Sequence, residues 1–378
     1  MPSIEARDIS VTSAGRTVLE HVSLTVPDGE TLAIVGPVGA GKSLLLKVLV
    51  GLRDPSSGDV VIDDVVVTGD DPRTRDVSMM FDDYELHPQL DVRGNLGFSS
   101  TLRRGYDKAA LADRVAEVAE LLSLEDVLAH RPAVLDEARR QRVAAGRALT
   151  REARAYLLDD PFSAQSERLR PHVRSVVLQW QRDHRRTTLL TTSDVDEALA
   201  TADRVAVMNR GFVHQVGTPR ELYDSPADMF VAGYLGAPPM NLIPGFPEGA
   251  EIQTPLGVLP LDAELQRTVG DRQVVVVGVR PEHLQQEEAD GFTFTAAIDD
   301  VEWRGRSQFA YLGYAIDPAI EEVLDEVEEL VAFDLFQSFV VAELPAEAEL
   351  AQGQQLRLSA PARHVHVFDP VTGENLTS

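Results

Sequence analysis

Cysteine is absent from this sequence of 378 residues, lysine occurs at only three positions, and no apolar run approaches the roughly 18 residues of a membrane-spanning helix. Without cysteine the chain can have neither a disulfide framework nor a catalytic thiol. The first residues also lack the basic and then apolar pattern of a secretory leader. We therefore expect a soluble protein that does not cross a membrane by itself.

Positive charge is also scarce, because 35 Lys and Arg residues face 61 Asp and Glu residues and the formal net charge is −26. Proteins that bind a nucleic-acid backbone use clustered Lys and Arg to displace its counterions. The sequence therefore predicts that no nucleic acid is the main partner.

The composition is that of a globular protein, with 44% hydrophobic and 25% charged residues, and the length favours two domains with separate cores. An alternating apolar and polar start predicts antiparallel strands. Buried strands, among them "TTLLTT" at residues 187–192, then alternate with helical segments, among them residues 167–183, up to residue 209. This alternation is typical of an α/β domain with a parallel sheet and helices on both faces.

Proline and glycine cluster at residues 234–245, and mainly short strands follow, which predicts an all-β second domain. We place the two domains at residues 1–235 and 236–378. Residues 317–331, "DPAIEEVLDEVEELV", are an exception, because they carry apolar residues on one helical face and acids on the other. The apolar residues of that face are Ile320, Val323, Leu324, Val327, Leu330 and Val331. Such a helix can cover the β domain or dock a partner.

The strongest chemical signal is "GPVGAGKS", which follows a predicted strand, precedes a predicted helix and fits the phosphate loop G-x-x-x-x-G-K-[ST]. The glycines let backbone N–H groups point at phosphates, the lysine reaches the β and γ oxygens, and the serine ligates Mg²⁺. The predicted nucleotide-binding residues are Gly36, Pro37, Val38, Gly39, Ala40, Gly41, Lys42 and Ser43.

A second signal, "AYLLDDP", is an apolar strand that ends in Asp159. A carboxylate in this position can hold the same Mg²⁺ as Ser43, directly or through water. Together the two motifs predict binding of ATP or GTP with Mg²⁺.

These motifs and their order resemble the ATP-binding subunits of ABC transporters. The stretches "FDDYELHP", "TADRVAVMNRG" and "PPMN" resemble the carbohydrate-importer branch, of the maltose and trehalose type. In the second half, "VGVRPEHL" and "HVHVFDPVTGENL" resemble the regulatory β-barrel domain of those subunits. The resemblance implies a P-loop NTPase domain of ABC type with an antiparallel β subdomain, followed by an all-β, OB-like regulatory domain.

The same resemblance implies ATP and Mg²⁺ as cofactors and a peripheral position on the cytoplasmic face of the cell membrane. The implied partners are transmembrane permease subunits, docked around residues 82–88, and a second ATP-binding subunit, either another copy of this chain or a paralogue. An extracytoplasmic solute-binding protein is implied as an indirect partner.

The sequence departs from the family where hydrolysis is completed. Members of the family have LSGGQ at the tip of one helix, where this chain has "LDEAR", residues 135–139. They have a water-orienting glutamate where Asp160 stands and a histidine that contacts the γ-phosphate where Ser193 stands. Ser193 also fits the N-cap of the next helix. We predict that Asp136 caps its own helix, and Arg139 could reach the γ-phosphate.

Three further positions differ. The glutamine expected to touch Mg²⁺ and the attacking water is Asp82, which can still bind metal but donates no hydrogen bond. The loop after the Mg²⁺ strand ends in Ser166 instead of aspartate, and Ala14 is the best match to the aromatic residue that stacks on adenine. The predicted catalytic positions are thus Asp160, Asp82 and Ser193, and the predicted metal ligands are Ser43, Asp159 and Asp82.

Two functions remain open from these observations. The chain is either an importer subunit for a sugar or related polar solute with weakened ATP hydrolysis, or an inactive ATP-binding subunit paired with an intact ATPase. Non-transport ABC ATPases of DNA repair or translation are disfavoured by the acidic charge and the importer-type second half. His364 and His366 alternate on a predicted strand without nearby carboxylate spacing, which favours a structural role.

Overall fold

The computed structural model describes residues 3–102, 107–316, 318–331 and 333–377. Within these ranges no helix is long and apolar enough to cross a membrane.

The contacts divide the chain into two compact units, residues 1–219 and 220–378. The predicted domain limits, 1–235 and 236–378, assign the segment 220–235 to the first domain, whereas its contacts group it with the second unit. The domain limits, which were drawn from sequence character, stay a prediction.

The first unit contains two sheets and the helices that pack on them. In chain order its elements are β1 (Ile4–Ser13), β2 (Arg16–Val26), β3 (Thr31–Val35), α1 (Lys42–Val50), β4 (Ser57–Ile62), β5 (Val65–Val66), β6 (Val77–Met80), α2 (Val92–Thr101), α3 (Lys108–Leu121), α4 (Glu137–Thr150), β7 (Ala155–Asp159), α5 (Arg170–Asp183), β8 (Thr187–Thr192), α6 (Val195–Thr201), β9 (Arg204–Asn209) and β10 (Phe212–Gly217).

The larger sheet has the strand order β10-β9-β3-β8-β7-β6, and its neighbouring strands are parallel except at the β10 edge. Every residue of β3, β7 and β8 is buried, which explains why these strands read as continuous apolar or threonine runs without alternation. The smaller sheet is antiparallel, in the order β2-β1-β4-β5. The predicted parallel sheet and antiparallel start are both present.

Two local differences from the sequence prediction have clear causes. We predicted a helix over 167–183, but α5 begins at Arg170, with Pro171 in its first turn, where the missing N–H costs nothing. Helix α2 was not predicted, because two glycines and Asn95 give it a poor helical pattern. Asp91 starts this helix by accepting a hydrogen bond from the Gly94 amide.

The second unit is built mainly from strands, with short helices around them. The helix α7 (Pro219–Asp224) begins at the last residue of the first unit, and the following elements are α8 (Met229–Tyr234), β11 (Asn241–Glu248), β12 (Glu251–Gln253), β13 (Gly257–Pro260), α9 (Ala263–Val269), β14 (Val275–Val279), β15 (Gly291–Ala297), β16 (Asp300–Trp303), β17 (Ser307–Gly313), α10 (Pro318–Val331), β18 (Phe339–Pro345), β19 (Gln355–Pro361) and β20 (Val365–Phe368).

The strands of the second unit form an antiparallel sheet in the order β19-β15-β13-β12-β11-β14-β20 and a smaller one in the order β16-β17-β18. The predicted acidic helix is present as α10, and Ile320, Leu324 and Val327 are buried in a cluster with residues of α8, β11, β14 and β20. This burial supports the covering role. The side chains of Val323 and Leu330 lie outside the described part of the structure.

The histidines of this unit lie together. The ring of His364 stacks on that of His283, with the centroids 3.9 Å apart. Burial lowers the pKa of His366 to about 4, so that this imidazole is neutral at physiological pH. The stacking of His364 and the burial of His366 are compatible with the structural role expected of these two residues.

A buried arginine joins β14 to the α7–α8 segment. The side chain of Arg280 is 1% exposed and donates hydrogen bonds to the carbonyl oxygens of Tyr223, at 2.7 and 3.1 Å, and Leu235, at 2.8 Å. Its guanidinium also lies 3.5 Å from the centroid of the Tyr223 ring. The hydroxyl of Tyr223 in turn donates to Glu282 at 2.6 Å.

Replacing Arg280 by Met should leave the carbonyls of Tyr223 and Leu235 buried without donors. We expect the free energy of unfolding of the second unit to fall by about 2–4 kcal/mol, measured by urea denaturation followed by circular dichroism. Arg220→Met is the matched control, because Arg220 is 91% exposed and pairs only at the surface with Asp224. Equal losses in the two variants would contradict the role assigned to Arg280.

Candidate nucleotide-binding site

The carboxyl ends of β3, β7 and β8 meet at one edge of the parallel sheet, where ligands of such sheets bind. A cavity of about 360 Å³ opens there. It is lined by Val18, Val38, Gly39, Ala40, Gly41, Lys42, Ser43, Leu44, Asp82, Asp159, Asp160, Thr191, Thr192 and Ser193. The fold thus brings the catalytic and metal positions predicted from sequence into one cavity, together with most of the predicted loop residues.

The glycine loop has the geometry that a phosphate cradle requires. A Cβ atom at Gly36 would overlap the carbonyl oxygen of Met208, and one at Gly41 would lie 2.7 Å from a methyl group of Leu19. Gly41 also has a φ of +103°, which favours glycine, and it precedes the first turn of α1. That turn carries no acidic residue of its own, and its residues Lys42 and Ser43 line the cavity, so the positive end of the helix faces it.

Lys42 lies inside the loop. Its ammonium group donates hydrogen bonds to the carbonyl oxygens of Gly36, at 2.5 Å, and Pro37, at 2.9 Å. Burial lowers the pKa of Lys42, and the carboxylates of Asp160 and Asp159 partly offset this effect. These contacts put both remaining predicted loop residues, Gly36 and Pro37, next to the one cation of the motif.

The Asp159 carboxylate is the centre of the polar network. One of its oxygens, Oδ1, accepts hydrogen bonds from the hydroxyls of Ser43, at 2.9 Å, and Thr191, at 2.6 Å. The other, Oδ2, is buried and has no hydrogen-bond partner, although the residue is only 2% exposed. Burial raises the pKa of Asp159, and the two hydroxyls lower it. An orphaned carboxylate oxygen beside a serine hydroxyl fits Mg²⁺, which prefers oxygen ligands.

Asp160 follows directly and is held in an unusual conformation. Its φ is +48°, in the left-handed region, which few residues other than glycine adopt. The backbone N–H donates to the carbonyl and hydroxyl oxygens of Thr191, and the carbonyl accepts from Gln141 at 2.9 Å and from the hydroxyl of Ser163 at 3.3 Å. Burial raises the pKa of its carboxyl group. The backbone hydrogen bonds therefore fix the position and direction of the Cα–Cβ bond of Asp160.

The other two predicted positions lie at the cavity rim with exposed side chains. Asp82 follows β6 closely, and its charge raises the pKa of Asp159. Ser193 follows β8, but the alternative prediction that it caps α6 is wrong. The N-cap is Asp194, whose carboxylate accepts from the amide of Glu197 at 2.9 Å, because it stands one residue nearer to the helix.

The tip of α4, residues 135–139, folds on itself. Asp136 is the N-cap and accepts a hydrogen bond from the Arg139 amide at 2.7 Å, as predicted. The guanidinium of Arg139 pairs with Asp126 at 3.1 Å and lies 3.8 Å from Asp136. Glu137 lies 3.5 Å from the hydroxyl of Tyr84, in the segment after β6. Asp136 thus has its partners within the chain itself, whereas Glu137 meets a neutral hydroxyl.

Sequence reasoning missed several residues of the site. Ala14 was the best match for a residue against the base, but it is exposed in the β1–β2 turn, and Val18 lines the cavity instead. The sequence predicts Thr191 and Thr192 only as part of a buried strand. Threonines at the end of a parallel strand, beside a strand that ends in aspartate, were the available signal for these contacts.

Glu197 was also missed, although it is a charged residue at 2% exposure on α6. One of its carboxylate oxygens is buried without a hydrogen-bond partner. Burial raises its pKa to about 7, and the neighbouring charge of Asp160 adds to this effect. A carboxyl group that is half protonated near neutral pH therefore lies behind the cavity.

Comparison with known proteins gives matches over both halves. The family model described as ABC transporter matches residues 19–163, and the model described as MalK OB fold domain matches residues 236–284. The trehalose import ATP-binding protein SugC of Mycobacterium tuberculosis is 38% identical over 375 residues, which cover 96% of this chain and 95% of SugC. The sn-glycerol-3-phosphate import ATP-binding protein UgpC of Cereibacter sphaeroides is 35% identical over 376 residues, with 100% of each chain covered.

Solved structures align with a little more than half of the chain. A dimeric ATP-binding cassette in a post-hydrolysis state, bound to ADP and phosphate, gives a TM-score of 0.54 at 24% identity and covers 57% of this chain and 99% of its own. At that identity the likeness shows the fold alone. A structure of an ATP-binding subunit of an ABC transporter gives a TM-score of 0.52 at 26% identity and covers 58% of this chain and 91% of its own.

Gly36→Ala should weaken binding of Mg·ATP by about five- to 150-fold, because forcing an extra carbon against backbone typically costs about 1–3 kcal/mol and would displace the loop. Isothermal titration calorimetry measures the dissociation constant. Gly97→Ala is the matched control, since a Cβ atom there would meet only ordinary contacts at 3.6–3.8 Å, and Gly97 has no positive φ and lies outside the cavity. An unchanged affinity in Gly36→Ala would count against the loop as the phosphate site.

Glu197→Gln should change how stability depends on pH. The raised pKa lets the folded protein keep a proton that the unfolded chain releases between about pH 4.5 and pH 7, so the wild type loses stability as the pH rises through this window. Relative to the wild type, the variant should gain about 2–3 kcal/mol of unfolding free energy between about pH 4.5 and pH 8. Urea denaturation at both pH values measures this.

The exposed Glu120 offers the control variant Glu120→Gln, which should show no such gain. Parallel curves of unfolding free energy against pH for the wild type and Glu197→Gln would disprove the assignment.

Proposed function

The chain belongs to the ATP-binding subunits of ABC-type importers, and from this premise we propose that it binds Mg·ATP and hydrolyses it weakly to drive uptake of a small polar solute. Subunits of this family take ATP with Mg²⁺. A sugar or a sugar-like phosphate is the solute class that the trehalose and glycerol-phosphate relatives support.

Binding is supported above all by the arrangement at Asp159. Ser43 and Asp159 lie within hydrogen-bond distance beside the glycine loop, and the unpartnered oxygen of Asp159 is a ready ligand for Mg²⁺. Asp82 at the rim is a third candidate ligand. The metal, once bound, screens the negative charge of the phosphates and polarises them for attack by water.

The residues expected to complete hydrolysis support a weak rate. Asp160 lies in the cavity where a glutamate would orient water, but its side chain is one methylene shorter, and a displacement of about 1 Å can cost about 10²-fold in rate. Ser193 has no charge to offer to a γ-phosphate. Asp82 accepts but does not donate hydrogen bonds, so it can hold metal but cannot donate to the attacking water.

The tip of α4 supports the same conclusion. In a pair of such subunits this tip would close over the nucleotide of the partner, and two like charges about 4 Å apart repel by about 4 kcal/mol at an effective dielectric of about 20. Asp136 and Glu137 would place carboxylates there. Arg139 is held by Asp126 and Asp136, which supports a structural role for this residue and not a contact with phosphate.

A second cavity of the first unit suits docking of the permease subunits. Residues 82–88 border a cavity of about 290 Å³ whose lining includes Phe81, Glu85, His87 and Phe98. Apolar and aromatic walls with a few charges fit a helical segment of another protein. Docking of a membrane subunit here would hold the chain at the cytoplasmic face of the membrane.

A second candidate function is that of an inactive ATP-binding subunit paired with an intact ATPase. The tip of α4 favours it, because Asp136 caps the helix and Arg139 pairs with Asp126 without a phosphate. In such a pair one site would contain Asp160 and Ser193, and the other would face the altered tip of α4. The second site, which uses the catalytic residues of the partner, would be the faster one.

Turnover by the assembled membrane complex, purified through a tag on this chain, separates the two functions. If the chain hydrolyses ATP, Asp160→Asn should lower kcat by about 10²-fold or more, because the variant loses the charge that aligns water. Mass spectrometry of the same preparation identifies any second ATP-binding subunit. Asp113→Asn, at an exposed position of α3, is the matched control.

Rapid turnover with this chain as the sole ATP-binding subunit, abolished by Asp160→Asn, would contradict weakened hydrolysis. Turnover that is indifferent to Asp160 in the presence of a second ATPase, or no turnover despite tight Mg·ATP binding, would make the chain the inactive binding half.

A further inference from the structure

Two buried glutamines connect the loop after β7 to the first turn of α4. Gln141 is 1% exposed and Gln165 is 2% exposed. The Gln165 amide nitrogen donates to the side-chain oxygen of Gln141 and to the backbone carbonyl of Ala138, each at 2.9 Å. The Gln141 amide nitrogen donates to the carbonyl of Asp160 at 2.9 Å and to the hydroxyl of Ser163 at 3.1 Å. An unbroken chain of hydrogen bonds therefore runs from Asp160 to Ala138.

The orientation of both amide groups is determined by these partners. Each amide has two N–H donors, and both donors of each glutamine meet an acceptor. Turning Gln165 over would bring its oxygen against two other oxygens, those of Gln141 and Ala138. Turning Gln141 over would likewise face its oxygen to the Asp160 carbonyl. The four donor bonds therefore favour this one arrangement of the pair, in which Oε1 of Gln165 is buried without a hydrogen-bond partner. Hydrogen-bonded networks of this kind make a packed interior more rigid.

One end of this chain is the cavity. The left-handed conformation of Asp160 depends on the bonds made by its own N–H and C=O groups, and Gln141 supplies one of them. A residue in a sparsely populated conformation persists only when its surroundings hold it there. Gln141 thus helps to set where the Asp160 carboxylate stands relative to Ser43 and Lys42.

The other end is the tip of α4. Ala138 lies in the first turn of this helix, between Glu137 and Arg139, and the acceptor that Gln165 uses there is the carbonyl of Ala138. We propose that Gln165 is a positioning residue that couples occupancy of the nucleotide cavity to the order of the α4 tip, with Gln141 as the link to Asp160. The inference rests on the proposed binding of Mg·ATP at the glycine loop and goes beyond it.

The coupling has a consequence for how the tip is prepared for a partner. A nucleotide that fixes Asp160 also fixes Gln141, and Gln165 then holds the first turn of α4 in register before any second subunit arrives. The tip is thereby ordered by the nucleotide of its own chain, at a distance from the phosphates and without a direct contact.

Amide hydrogen exchange of the full-length chain tests this without requiring hydrolysis. In the wild type, saturating Mg·ATP should slow exchange in peptides covering residues 137–142 by about threefold or more, the range expected when a fraying helix end is held more firmly. In Gln165→Leu, which keeps the size but removes both donors, this nucleotide-dependent slowing should fall to less than about half. The dissociation constant for Mg·ATP should stay within about twofold of the wild type.

If Gln165 had a purely structural role, replacing it would raise the exchange rate equally with and without nucleotide. The informative quantity is therefore the difference in exchange between the nucleotide-bound and nucleotide-free states. Gln179→Leu is the matched control, because Gln179 is an exposed glutamine of α5 that bonds only to Asp183 at 2.7 Å. It should retain the wild-type difference. Gln165→Asn, which keeps the amide but is one methylene shorter, serves if the leucine variant does not fold, and it should show the same loss.

Full retention of the slowing in Gln165→Leu or Gln165→Asn would overturn the proposal. The proposal would also be overturned if the wild-type protein binds Mg·ATP but shows no change of exchange at residues 137–142. That result would leave the proposed nucleotide binding unaffected. A wild-type protein that does not bind Mg·ATP at all would instead overturn the proposed function, and the coupling with it.

Discussion

The buried carboxylate of Asp159 is the constraint on which the site depends. A carboxylate at 2% exposure is costly to bury unless it is hydrogen-bonded or bound to a cation. Two hydroxyls, from Ser43 and Thr191, satisfy only one of its oxygens. The parallel register of β7 with β8 sets Asp159 opposite Thr191, and β3, on the other side of β8, delivers the glycine loop to the same edge. The order of the strands therefore determines both the position of the glycine loop and the presence of a carboxylate oxygen beside it that can bind Mg²⁺.

Much of the first unit could be predicted because its signals are local. The glycine loop, the strand ending in Asp159 and the cap at Asp136 each follow from the chemistry of a few adjacent residues, and the predicted fold class, an ABC-type P-loop domain followed by an OB-fold domain, is confirmed. Helix α2 was missed because its residues have poor helical propensity, and packing against α4 and α3 holds it instead.

The contacts that could not be predicted join residues far apart in sequence. Nothing around Gln165 signals that its amide meets Gln141 and Ala138, since the pairing depends on how the loop after β7 folds over α4. The same holds for Glu197, whose burial behind Asp160 sets its pKa near neutrality. Val18, and not Ala14, lines the cavity, and Ala14 is exposed in the β1–β2 turn.

The charge at the α4 tip decides which site of a pair would be impaired more. The simple repulsion of about 4 kcal/mol for each carboxylate is an overestimate here. The carboxylate of Asp136 accepts a hydrogen bond from the Arg139 amide of its own helix, and the positive end of that helix stabilises this charge further. The guanidinium of Arg139 pairs with both Asp136 and Asp126. Among the described residues, Glu137 has the Tyr84 hydroxyl as its hydrogen-bond partner, at 3.5 Å, and this neutral group does not offset the carboxylate charge. With an intact partner, the site facing this tip would meet about one net carboxylate and keep a full catalytic set. Under the proposed function, the site built on Asp160 and Ser193 would be without the glutamate and the histidine, which the tip of a partner cannot replace. The first of these sites is therefore the better candidate for the site that hydrolyses ATP in a mixed pair.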